Sequence, residues 1–155
     1  GKTLLAYIDP DMNMEENEKW KYPDRVMVQR KGLSFARISE GGGYKFRWLN
    51  EALTEIISAK ISGKKPSAYP EERELVGLLL SGGKQNIPES LLCEAYFEDY
   101  DPREPRDNRI PAWKKFVRAV GDAYEPGFLA RLDDCVQRQG IEEALKITIE
   151  DMKKN

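Results

Sequence analysis

The side chains here that could do chemistry are carboxylates, lysines, arginines, tyrosines, hydroxyls and two cysteines, because the chain contains no histidine. That absence removes every nucleophile system activated by an imidazole, every histidine general base and the histidine-containing zinc sites. Cys93 and Cys135 therefore lack the base that would make either a nucleophile. Both fall on or beside apolar helical faces and read as small core residues of a reduced protein. Glu94 and Glu98 lie one helical turn apart, a spacing that can bring two carboxylates to a metal or an acid/base pair. Arg103, Arg106 and Arg109 follow closely, which favours loose surface ion pairs instead.

Asp9-Pro10-Asp11-Met12-Asn13 begins like a calcium loop. That loop requires Gly at its sixth position and Glu at its twelfth, where this chain has Met14 and Trp20, so the calcium reading fails. What remains is a loose Mg²⁺ site on Asp9 and Asp11, set against a turn that favours Asp, Asn and Pro for conformational reasons. No cofactor motif is legible, and no cofactor is expected.

The remaining constellation is a basic one. Residues 19–65 hold 11 Lys and Arg against 4 Asp and Glu, although the whole chain carries a net charge of −2. Arg25, Arg30, Lys31, Arg37, Lys45, Arg47, Lys64 and Lys65 are its candidate contacts for a partner or for phosphates, with Trp20 and Tyr22 available for stacking. A pI near 5.4 argues against a dedicated nucleic-acid binder.

The elements that must position these groups follow from periodicity. Tyr44, Phe46 and Trp48 alternate with Lys45 and Arg47, the signature of a half-buried strand with its rings on one face. At Leu49-Asn50 the period changes: Leu49, Leu53, Ile56, Ile57 and Ile61 predict a helix over 50–62, capped by Asn50 and closed by Gly63. Earlier, residues 3–8, 26–28 and 33–38 read as strands joined by short loops, Gly41-Gly42-Gly43 being the last.

After Lys64-Lys65-Pro66, Pro70 opens a second helix with Glu71, Glu72 and Glu74 at its positive end. Asn86 to Glu89 resembles a capping box ahead of Leu91, Leu92, Ala95 and Tyr96. Residues 98–109 contain two prolines and no period, and read as a solvated connection. Pro111 then opens a helix with Trp113, Phe116, Val117, Val120 and Tyr124 on one stripe, followed by helices closed by Gly140 and by the C-terminal lysines. The pair 111–124 and 126–139 has a helix-turn-helix outline, but Asp133 and Asp134 beside Arg131 suit a packed hairpin better than a groove lined with phosphates.

The expectation is thus one α+β domain over 1–155. An N-terminal antiparallel meander of three or four strands packs against five or six helices. Residues 1–97 and 110–155 form its subdivisions, with 98–109 between them. The charge split and the excluded chemistry favour a non-enzymatic, cytoplasmic protein-binding or regulatory module whose partner is another protein. A nucleic-acid-binding protein using 19–65 is the alternative. A metal-dependent hydrolase or nuclease on Asp9, Asp11 or the Glu94–Glu98 pair comes third. No leader is legible, and no apolar run approaches the ~20 residues that cross a bilayer.

Overall fold

A computed structural model describes residues 5–7, 26–31, 33–38, 44–98 and 110–154. From Phe46 to Lys154 every regular element among them is a helix. These are α1 (Arg47–Ser62), α2 (Pro70–Ser81), α3 (Glu89–Phe97), α4 (Ala112–Ala123), α5 (Phe128–Gln139) and α6 (Ile141–Lys153). The expected α+β fold is therefore corrected: the body of the protein is all-α, six helices with no sheet running through it.

The reason lies at Phe46. Alternating rings at 44, 46 and 48 span only five residues, and the strand they predict stops at Lys45. Phe46 then turns left-handed (φ 58°), and Arg47 and Trp48 already belong to the first turn of α1. Trp48, Leu49, Ala52 and Leu53 share one helical face and all are buried, so helical burial outweighs the local strand pattern. Asn50 does not cap that helix. It lies inside the first turn, and its Oδ1 accepts the Leu33 N–H at 2.9 Å.

Ahead of the helices the backbone pairs in short strands, β1 (Leu5–Tyr7), β2 (Val26–Lys31), β3 (Ser34–Ile38) and β4 (Tyr44–Lys45). Arg30 stands opposite Phe35, and Phe35 opposite Lys45, in antiparallel ladders. β1, however, runs parallel to β2, which no meander permits. In this stretch, Leu33 and Ser34 are the buried residues among those whose side chains are described.

The core belongs to the helices. Leu49 and Leu53, Leu75 and Leu79, Leu92, Phe116 and Val120, Phe128 and Leu132, and Ala144 form one apolar cluster to which all six helices contribute. α2 packs on α1 and α6, α6 on α5, and α3 on α4. The predicted helices over the second half hold, with Pro70 opening α2 and Gly140 (φ 100°) separating α5 from α6. The capping box at 86–89 does not form: Pro88 is the N-cap of α3 and makes no side-chain cap bond.

Two close approaches fix the packing. The Tyr124 hydroxyl donates to the Leu78 carbonyl at 2.6 Å while its ring stacks on Phe128, centroids 4.4 Å apart. Gly83 sits so near α4 that the Lys84 N–H donates to the Ala123 carbonyl at 2.8 Å. A Cβ on Gly83 would lie 2.7 Å from that same oxygen.

Candidate functional site

Of the basic candidates, Arg25 lies outside the described residues. Arg30, Lys31 and Arg37 fall on β2 and β3, and of these three only the backbone is described. Lys45, the last residue of β4, and Arg47, the first of α1, are both exposed. Arg47 is committed to a carboxylate, its Nε donating to Glu51 Oε1 at 2.7 Å. Its setting is an open cleft of about 490 Å³ lined by Arg47, Trp48, Glu51, Glu72, Asp133 and Gln137, together with Val136.

Asp133 is the structural centre of that cleft and is only 2% exposed. Its Oδ1 accepts the Phe46 N–H at 2.8 Å and the Trp48 Nε1–H at 3.2 Å, and its Oδ2 accepts from Gln137 Nε2 at 2.8 Å. The acid of α5 thus ties down the turn that starts α1. Burial pushes its carboxyl above the usual range, and the hydrogen bonds from Phe46 and Trp48 recover only part of that shift. Glu51 is held below its ordinary range, first by the Tyr69 hydroxyl and then by Arg47.

Lys64 and Lys65 are placed differently. Both are exposed in the turn after α1, which Gly63 (φ 69°) starts, and neither forms an ion pair with a described residue. The turn is pinned from below: Glu55 Oε1 accepts the N–H groups of Ser67 at 2.8 Å and Ala68 at 3.2 Å. Arg73 Nε adds a bond to the Ala68 carbonyl at 2.8 Å. The two lysines therefore ride on a turn fixed by hydrogen bonds.

Beside that turn runs a seam between α1 and α3. The two helices are antiparallel: Thr54 meets the Tyr96 hydroxyl at 2.9 Å, and Lys60 pairs with Glu89 at the other end. Ile57 and Cys93 are half-buried along it. Ile61 lies two turns beyond Thr54 on the same line of α1 and is 82% exposed. Phe97 packs edge-on against Tyr96 and is 67% exposed. Sequence periodicity places Ile61 on the buried stripe of α1, but the stripe outruns the core by a turn. Phe97 went unremarked as a candidate, and its only signal is a phenylalanine next to the polar run that ends α3.

The chemical candidates are dispersed. Glu98 caps α4, its two carboxylate oxygens accepting the N–H groups of Ala112 at 2.8 Å and Trp113 at 3.3 Å, while Glu94 is exposed. Cys93 and Cys135 are free thiols, and burial raises both above the usual thiol range. Asp9 and Asp11 lie outside the described residues. Among the described residues no three Asp, Glu or Cys converge as metal ligands. Also among them, no helix is long and apolar enough to cross a membrane. The chain matches no protein-family model, no curated protein and no solved structure.

Proposed function

We propose that this chain is a non-enzymatic, cytoplasmic protein-binding or regulatory module that meets its partner along the α1–α3 seam. The observation that carries the reading is the pair Ile61 and Phe97. Among the described residues these two large apolar side chains are left most in water, at 82% and 67% exposed. Isolated exposed apolar residues are ordinary, but each of these lies one turn beyond a half-buried residue, Ile57 or Cys93, on adjoining helices. The two free thiols support a reducing compartment.

The test is affinity capture from nuclease-treated lysate of the source cell, comparing the intact chain with an Ile61→Ser/Phe97→Ser double variant. A protein retained by the first and lost by the second supports the reading. Equal retention by both, or recovery of nucleic acid alone from an untreated lysate, overturns it. Lys64 and Lys65, exposed and without an ion pair to a described residue, favour one second reading, nucleic-acid binding through that turn. It requires oligonucleotide affinity that falls steeply with salt and disappears in Lys64→Glu/Lys65→Glu.

A further inference from the structure

We infer that the occupant of the α1–α3 seam is an acidic amphipathic helix of a partner protein, held by Ile61 and Phe97 and oriented by Lys64 and Lys65. This rests on the protein-binding reading and adds the chemistry of the partner to it.

Spacing gives the helix. Ile61 and Thr54 are seven residues apart on α1, about 10 Å along its axis, and the hydroxyl of Tyr96, whose ring meets Phe97 edge-on, reaches Thr54 from α3. Apolar anchors about two turns apart along the seam match side chains at i and i+7 of a helix laid over it. Half-buried Ile57 and Cys93 supply an apolar floor between them.

Charge gives the sign. Lys60 is neutralised by Glu89 within the seam, whereas Lys64 and Lys65 stand at its Ile61 end and form no ion pair with a described residue. The Glu55 contacts to Ser67 and Ala68 hold their turn in place before any partner arrives, which lowers the ordering cost of binding. A partner carrying carboxylates at one end of its apolar stripe satisfies both features. A nucleic acid would satisfy the lysines but leave Ile61 and Phe97 in water.

The probe is a synthetic helical peptide of about 16 residues, long enough to hold a helix on contact, with Leu at i, i+3, i+4 and i+7 and Glu at most other positions. Its companions carry Lys for Glu, or Ala for Leu, and an oligothymidylate is the polyanion control. Binding to the full chain is followed by titration calorimetry and by the rate at which Cys93 is alkylated, read by mass spectrometry. The expected result is micromolar binding of the Glu/Leu peptide and several-fold protection of Cys93. Affinity should drop about tenfold in Lys64→Glu/Lys65→Glu, and at least as much in Ile61→Ser or Phe97→Ser. Circular dichroism on each variant confirms an intact fold.

Equal or tighter binding of the Lys/Leu peptide overturns the inference. So does oligothymidylate protection of Cys93, or failure of the Glu/Leu peptide to bind at all. If the native partner is still captured in an Ile61-dependent way while that peptide fails, only the partner chemistry falls and the protein-binding reading stands.

Discussion

Asp133 offers the sharpest perturbation, because its two informative substitutions should behave oppositely. Asp133→Ala strands the Phe46 N–H and the Trp48 indole N–H, whose shared acceptor is Oδ1. An unsatisfied buried donor costs roughly 1–3 kcal/mol, so two of them, one only half-buried, should cost about 2–5 kcal/mol. Asp133→Asn keeps Oδ1 as acceptor, and Gln137 can turn its amide to meet the new NH₂ group. Its stability at pH 7 should stay within about 1 kcal/mol of the parent.

The pH dependence supplies the decisive sign. Burial raises the folded carboxyl above its unfolded value, so folding favours the protonated form. The stability this confers is complete below the unfolded pKa and is lost as pH rises through the folded one. Lys45 opposes the shift and Asp134 reinforces it, both from exposed positions. The asparagine variant lacks this proton, so its stability relative to the parent should improve between pH 3 and pH 7. Urea unfolding at several pH values, read by tryptophan fluorescence and checked for constant m-values, measures it. A relative stability that worsens over the same range would show the hydrogen bonds outweighing burial and refute the reasoning.

Three further outcomes follow from the packing. Burial, with the Asp151 charge second, pushes the Tyr124 phenol up to about 12, so stability should fall as pH climbs from about 10 towards that value. One of the seven tyrosines should ionise last in a phenolate absorbance titration, and Tyr124→Phe should remove that late step. The same substitution forfeits the bond to Leu78 but not the stack on Phe128, at a cost of about 1 kcal/mol in urea unfolding. Gly83→Ala should lose about 1–3 kcal/mol, because its Cβ meets the Ala123 carbonyl at 2.7 Å. Gly77→Ala should instead gain about 0.5–1 kcal/mol, since mid-helix Gly77 has no atom within 4 Å of an added Cβ. Melting temperatures of the two variants that moved in the same direction would contradict the packing described.

What the sequence determined by itself was chiefly the helical half. Pro70, Gly63 and Gly140 punctuate helices because their effects on φ and on N–H donation are local, and the stripe Phe116, Val120 and Tyr124 repeats long enough to fix a period. The missing histidine likewise removed whole classes of chemistry before any fold was known. The start of α1 was not legible. Five residues with alternating rings satisfy a strand and a helix start equally well, and the choice was made from 87 positions away, by Asp133 accepting the Phe46 N–H. Once α1 starts at Arg47, that arginine stands one turn from Glu51 and pairs with it, at a cleft whose other wall holds Asp133 and Gln137. The exposure of Ile61 and Phe97 also belongs to the tertiary structure alone, because burial depends on whether another helix arrives to cover a face.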